Sequence, residues 1–326
     1  MNLAQANLSF SNARDAKNLL QHHLPVTRLA PAHALSKKVH ADVYLKLESD
    51  LPTGSFKPRG ALYALSVNAA RRSIREVTAS STGNHGAAVA FAANLLRIPA
   101  TIFLPANPNP VKRACIVDQG ATIVEAGGDD LRAAFDQASA HAQGSGVYFL
   151  NDATDPDLPA GPGTIALEIL DQLSAVDTIV VPMGDTALIR GVAAIAKQLS
   201  PTVRIIGVQA ERAPAYFLSW KQGQVVSTET CDTIADGLST RIPEGNNVHV
   251  IRELVDDVVL VSDDEMLAAM RHLALDEHVI AEPAGAAATA ALLHGKFEYG
   301  QHVVLLVTGA NASPDVLRAA ICGVES

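Results

Sequence analysis

An α/β fold built around mostly parallel sheets is the class this chain predicts, and two observations predict it. Hydrophobic residues fill 48% of the 326 positions while aromatics fill only 4%. The core must therefore be assembled from Ala, Val, Leu and Ile, the mixture expected of buried parallel strands covered by alanine-rich helices. Short β-branched runs also alternate with helix-period stretches, with little linker between them. The length corresponds to about two domains and is ample for a sizeable core.

Taken in order, Val43 to Leu47 reads as a short strand and Lys57 to Ala70 has the spacing of a helix. Val77 to Ala79 leads into a helix over Asn84 to Leu96. Ala100 to Leu104 is extended and ends at Pro105, ahead of a helix over roughly 110–119. Ala121 to Val124 precedes a helix over roughly 129–142, and Val147 to Leu150 is the next strand. Such β-α-β-α units make a parallel sheet with helices on both faces. A second series follows, with strands at Thr178–Val181, Arg204–Val208, Val258–Val261 and His302–Val307. Helices near 163–172, 187–199, 263–275 and 283–294 lie between them. The stretch 151–162, rich in Asp and Pro, is the best place for a crossover between two lobes. No internal repeat or low-complexity segment interrupts the pattern.

Charge and composition exclude several classes of function. A net charge of −9 disfavours nucleic acid and anionic membrane surfaces as partners. No apolar run approaches the roughly twenty residues that span a bilayer; Ala284 to Leu293 is broken by Gly285 and Thr289 and reads as a buried helix. Residues 1–24 show no basic-then-apolar export pattern. The three cysteines, Cys115, Cys231 and Cys322, are scattered and odd in number, which suits buried thiols in a reducing, cytoplasmic compartment. No metal site is expected: His22 and His23 lack acidic or thiol companions at ligand spacing and read as solvated helix residues.

Chemistry enters at Gly54-Ser55-Phe56-Lys57-Pro58-Arg59-Gly60-Ala61, where a lysine follows the uncharged turn Gly54-Ser55-Phe56. Partial desolvation lowers a lysine's pKa, and a neutral amine forms a Schiff base with an aldehyde. About twenty-five residues on, Ser80-Ser81-Thr82-Gly83-Asn84-His85-Gly86 makes a glycine-bounded polar turn between a strand and a helix. Backbone N–H groups and hydroxyls at such a helix start form an anion nest. In this order and at this distance, the two blocks resemble the fold-type-II pyridoxal phosphate (PLP) enzymes, which include serine and threonine dehydratases, serine racemase and cysteine synthases. The resemblance runs from Leu24-Pro25-Val26-Thr27 to the strand ending at Thr308. The Phe-Lys-Pro-Arg-Gly-Ala wording and the segment Ala235-Asp236-Gly237-Leu238 are similar to the dehydratase branch rather than to the cysteine synthases.

The resemblance implies a tryptophan-synthase-β-like architecture, with a small lobe of residues 76–149 inserted into a large PLP-binding lobe of 1–75 and 150–326. It implies a homodimer and an amino-acid substrate. It makes Lys57 the Schiff-base lysine, with Phe56 beside the ring. The family's phosphate loop is four glycines and a leucine after a strand ending in Val-Pro-x; here it reads Gly184-Asp185-Thr186-Ala187-Leu188. An ionised Asp185 beside a phosphate would repel it, so its side chain has to point away or bind something else, while Thr186 can donate a hydroxyl hydrogen bond. Thr308 matches the family's neutral partner of the pyridine nitrogen, which tempers the electron sink and favours β-elimination. Asn84 matches the residue on the ring's phenolic oxygen, and Ser81, Thr82, Gly83, Asn84 and His85 match the site of the substrate carboxylate. His85 suits either a substrate contact or a structural place at the helix start. Gly237 would allow close backbone approach to the cofactor. Glu282, in Ala281-Glu282-Pro283-Ala284-Gly285, suits either the cofactor's surroundings or a structural acid.

The implied activity is dehydration of a β-hydroxy-α-amino acid of the serine, threonine, 3-hydroxyaspartate or 3-phenylserine type to a 2-oxo acid and ammonia. In it, Lys57 removes the α-proton and the cofactor phosphate assists the departing hydroxyl. Two alternatives stay open: an amino-acid racemase, and a non-catalytic PLP-binding protein suggested by the altered glycine loop. The resembling racemase has Ser where this chain has Thr82, and acidic cation ligands where this chain has Gln209 and Ala215, so elimination without a divalent cation is expected. The chain ends soon after Thr308, and no amino-acid feedback domain is expected.

Overall fold

The computed structural model describes residues 8–81, 83–126 and 131–323. In chain order the elements are α1 (Phe10–Leu20), β1 (Leu29–Pro31), α2 (His33–Val39), β2 (Asp42–Leu47), α3 (Lys57–Arg71), β3 (Glu76–Ser80), α4 (Asn84–Leu96) and β4 (Ala100–Leu104). Next come α5 (Pro110–Asp118), β5 (Thr122–Glu125), α6 (Leu131–His141), β6 (Val147–Phe149), α7 (Ala160–Gln172), β7 (Thr178–Pro182) and α8 (Ala187–Leu199). The chain continues through β8 (Arg204–Ala210), α9 (Ala215–Gln222), α10 (Gly245–Leu254), β9 (Asp257–Val261), α11 (Asp263–Asp276), α12 (Pro283–Leu293), β10 (His302–Val307) and α13 (Pro314–Cys322).

These strands form two sheets, six-stranded in the order β1-β2-β10-β7-β8-β9 and four-stranded in the order β5-β4-β3-β6. Every pairing is parallel except β1 with β2, in which Leu29 faces Lys46 and Pro31 faces Tyr44. The central strands β10 and β7 read His-Val-Val-Leu-Leu-Val and Thr-Ile-Val-Val-Pro and are buried almost throughout, as strands covered on both faces must be. One face of the large sheet is covered by α12, whose Ala-rich sequence is buried nearly end to end. The other is covered by α8 and its neighbours. Small side chains let α12 lie close against the strands. Helices α3 and α4 build the core beside the four-stranded sheet.

The predicted α/β class and its parallel strands hold. The reading missed β1, which is three residues long and contains a proline, and the helices α1, α2, α9, α10 and α13. Helix α7 begins at Ala160, three residues before the expected start. Its opening Ala-Gly-Pro-Gly hides a helix from propensity alone, although proline is tolerated in a first turn, where N–H groups lack intrahelical acceptors. His22 and His23 lie exposed in the turn after α1 rather than on a helix. The cysteines are free, but none is fully buried and Cys322 is exposed, which corrects the expectation of buried thiols. Among the described residues no helix is long and apolar enough to cross a membrane.

One buried polar cluster ties the large sheet to the start of α3. Arg59, two residues into that helix, is 2% exposed. It donates to both carboxylate oxygens of Glu48 (2.7 and 3.0 Å) and of Glu168 (2.6 and 2.9 Å). Lys46 of β2 adds a second cation, 2.6 Å from Glu168. Fork-like contacts of this kind fix orientation as well as charge. They hold the first turn of α3 in place.

Candidate active site

The carboxyl ends of β3, β7 and β10 open onto one cleft, the usual ligand position in parallel α/β sheets. The empty space there, including the part open to solvent, is about 840 Å³. The loop before α3 is stitched to the end of β10: the Phe56 N–H donates to the Thr308 carbonyl (3.0 Å), the Ala310 N–H donates to the Gly54 carbonyl (2.9 Å), and Ser55 pairs with Gly309. That stitching brings Lys57, the first residue of α3, and Thr308 to the same cleft wall. The Lys57 ammonium lies 5.3 Å from the centre of the Phe56 ring and 2.7 Å from Asp152 Oδ2.

Opposite them, β7 runs through Gly184-Asp185-Thr186 into α8. A side chain at Gly184 is barred, because a Cβ there would lie 2.2 Å from the Gly237 carbonyl oxygen. Thr186 adopts a left-handed φ of +69°, rare for a β-branched residue, and its hydroxyl does not cap the helix. Instead its Oγ1 accepts from Arg190 Nε (3.1 Å), which leaves the hydroxyl proton free to donate. Asp185 Oδ1 accepts from the Thr240 hydroxyl (3.0 Å). Burial, then the Asp152 charge, pushes the Asp185 carboxyl up to about 6.

The third wall is the turn from β3 into α4. The Ser81 hydroxyl accepts from the Gly83 and Gly86 N–H groups (2.8 and 3.0 Å), so two amides of the expected anion nest are already engaged. A Cβ at Gly83 would lie 2.1 Å from Lys112 Cδ. Lys112 is paired with Asp236 (2.6 Å) and Glu282 (2.9 Å), and burial is outweighed by those carboxylates in raising its pKa. Asn84 donates to Glu282 Oε1 (2.5 Å) and accepts from Asn311 (2.9 Å). His85 Nε2 is bonded to the Leu150 carbonyl (2.8 Å). Burial is the largest influence on the ring and lowers its pKa, so His85 is neutral, with Nε2 as donor.

Residues 20–309 match the family described as pyridoxal-phosphate dependent enzyme. The chain belongs to that family. It is 35% identical over 309 residues to the L-threonine ammonia-lyase of Geobacter sulfurreducens, covering 93% of this chain and 76% of that one. It is 35% identical over 300 residues to the catabolic L-threonine dehydratase of Escherichia coli (strain K12), covering 91% of each. Among solved structures, maize serine racemase superposes with a TM-score of 0.90 at 28% identity, covering 95% of this chain and 96% of the other. The T.th. threonine deaminase superposes at 0.88 with 31% identity, covering 94% and 99%. These relatives place the chain in the serine/threonine dehydratase branch of fold type II, as a PLP-dependent ammonia-lyase.

The residues present fit that cofactor. Lys57 offers a primary amine, the uncapped N-terminus of α8 offers amides to an anion, and Thr308 offers a hydroxyl, all on one cleft. Phe56, Asn84, Gly184, Asp185, Thr186, Ala187, Leu188, Gly237 and Glu282 line the same space, as do Ser81 and His85. Gly83 caps α4 beside them. Thr82 lies outside the described residues. Gln209 is buried and accepts from the Phe217 N–H (2.8 Å).

Sequence reasoning took Lys57 for a solitary cation, and the structure pairs it with Asp152. It also missed Lys112, Thr240 and Arg190. The only signal for Asp152 was the Asp-rich stretch 151–157, in which nothing singles out one acid over the next.

Proposed function

We propose that this PLP-dependent dehydratase acts on a small, uncharged β-hydroxy-α-amino acid of the serine or threonine type, giving a 2-oxo acid and ammonia. The observation that carries the reading is the convergence of Lys57, the start of α8 and Thr308 on one cleft. The relatives named for threonine support the substrate class. Substrates with a second carboxylate, such as 3-hydroxyaspartate, are disfavoured by charge: four acids, Asp152, Asp185, Asp236 and Glu282, line the cleft against two lysines, Lys57 and Lys112.

Bound in the cleft, the cofactor supplies a covalent anchor for the amino acid and an electron sink for its α-carbon. Lys57 would bind the cofactor aldehyde and afterwards serve as the base for the α-proton. The first turn of α8, with the Thr186 hydroxyl, would hold the phosphate. Thr308 would hydrogen-bond the pyridine nitrogen and Asn84 the phenolic oxygen. The substrate carboxylate would rest on the first turn of α4, where the Asn84 and His85 amides remain after Ser81 has engaged Gly83 and Gly86. A small lobe of 76–149, a homodimer and a cytoplasmic location belong to the same proposal.

Steady-state formation of 2-oxo acid from serine, threonine, 3-hydroxyaspartate and 3-phenylserine tests it. The first two should be turned over at least about tenfold more efficiently, a difference of about 1.4 kcal/mol in transition-state binding. A preference for 3-hydroxyaspartate would refute the charge argument.

A further inference from the structure

We propose that Asp152 is the general acid that protonates the departing β-hydroxyl, sharing one proton with Lys57. The assignment rests on the lyase reading above and adds a residue to it. Asp152 comes from the turn after β6, its side chain is 19% exposed, and its Oδ2 is 2.7 Å from the Lys57 nitrogen. Both groups line the cleft. Its further charged or titratable neighbours are Asp185, Arg190 and His85, whose Nδ1 is 4.0 Å away and whose Nε2 is committed to the Leu150 carbonyl.

A purely structural ion pair accounts poorly for this arrangement. The Lys57 amine has to leave its ammonium form in order to react, and each time it does so Asp152 loses its counter-charge. Burial alone would raise the Asp152 carboxyl; the Lys57 ammonium is the main influence that holds it below the usual range. Without the ammonium, the Asp152 carboxylate, with Asp185 nearby, becomes a stronger base and a ready proton acceptor. The proton that Lys57 collects from the α-carbon is therefore delivered to an acceptor already in hydrogen-bond contact.

The step balances. The Cα–H bond breaks, its electron pair stays with the substrate and becomes the Cα–Cβ double bond, and the proton goes to the Lys57 nitrogen. Lys57 passes that proton to Asp152 Oδ2. The Cβ–O bond breaks with its pair on oxygen, the Asp152 proton joins that oxygen, and water leaves. Lys57 ends neutral and Asp152 ionised, as both began. Because Cα and Cβ are bonded neighbours, a base and an acid separated by one hydrogen bond can serve both on one face of the substrate.

Hydroxide needs such an acid, whereas chloride does not, and the test uses that difference. Parent holoenzyme and Asp152→Asn holoenzyme are assayed with L-serine, L-threonine and β-chloro-L-alanine, and exchange of the serine α-proton in deuterated water is followed by NMR. The variant should lose about 10²–10³-fold on the hydroxy acids, stay within about threefold of the parent on β-chloroalanine, and still exchange the α-proton. Asp152→Glu should recover about tenfold or more of the serine rate, and it carries the test if the asparagine variant does not fold. Equal losses on serine and β-chloroalanine, no loss on serine, or a glutamate variant that loads the cofactor and recovers nothing would each overturn the assignment. A parent that eliminates chloride but dehydrates neither hydroxy acid would contradict both this assignment and the proposed substrates. A parent that acts on none of the three would refute the lyase reading itself.

Discussion

Burial, and after it the Asp152 carboxylate, pushes the Asp185 carboxyl up to about 6, while Lys57, the Thr240 hydroxyl and Arg190 pull the other way. Tyr216, also near it, is pushed up to about 12 by its own burial and stays neutral. A folded value above the ordinary aspartate value near 4 means that Asp185 contributes stability below about pH 4 and loses that contribution as pH rises through about 6. Asp185→Asn removes the titration. In cofactor-free protein the variant should be more stable than the parent by about 2–3 kcal/mol at pH 8, with the gain shrinking toward zero near pH 4. Urea midpoints at the two pH values measure this, and a gain independent of pH would count against a buried, proton-holding Asp185. The same titration bears on the cofactor: below about pH 6 a neutral Asp185 can donate to a phosphate, whereas above it the ionised carboxylate repels one.

The first turn of α3 carries Lys57, and the Arg59 cluster fixes that turn. Arg59 is raised above its ordinary value because Glu48 and Glu168 outweigh the effect of burial. Replacing it with leucine strands two buried carboxylates, with Lys46 as a cation beside them and Thr27 as a neutral donor. Breaking a buried pair by removing one partner costs about 3–5 kcal/mol, so Arg59→Leu should lose about that much in urea unfolding; a loss below about 1 kcal/mol would show that water or rearrangement satisfies the acids. The sequence made the helix legible, with its lysine and its early proline, and the Phe-Lys-Pro-Arg-Gly-Ala wording singled out its start. It could not show the cluster, since Glu48 and Glu168 lie 11 and 109 residues from Arg59. The Lys57–Asp152 contact spans 95 residues and was invisible for the same reason. Strand and helix periodicities are local properties of the chain, whereas partners in an ion pair are set by how the elements pack.

Across the whole molecule, two mostly parallel sheets bring the carboxyl ends of β3, β7 and β10 to one cleft. The alternation of β-branched runs with alanine-rich helices was enough to anticipate both series of strands. It did not reveal their spatial order, in which β10, near the chain's end, lies between β2 and β7. That order makes the site, because it sets Thr308 beside Phe56 and Lys57 and places the α8 loop on the neighbouring strand. The central claim is that this arrangement exists to hold a cofactor aldehyde on Lys57. Reducing the cofactor-loaded protein with borohydride and mapping its peptides by mass locates the attachment directly. A pyridoxyl phosphate adduct on Lys57, absent from Lys57→Ala protein, is the predicted result; an adduct on Lys112 or another lysine, or none at all in protein shown to contain cofactor, would contradict it.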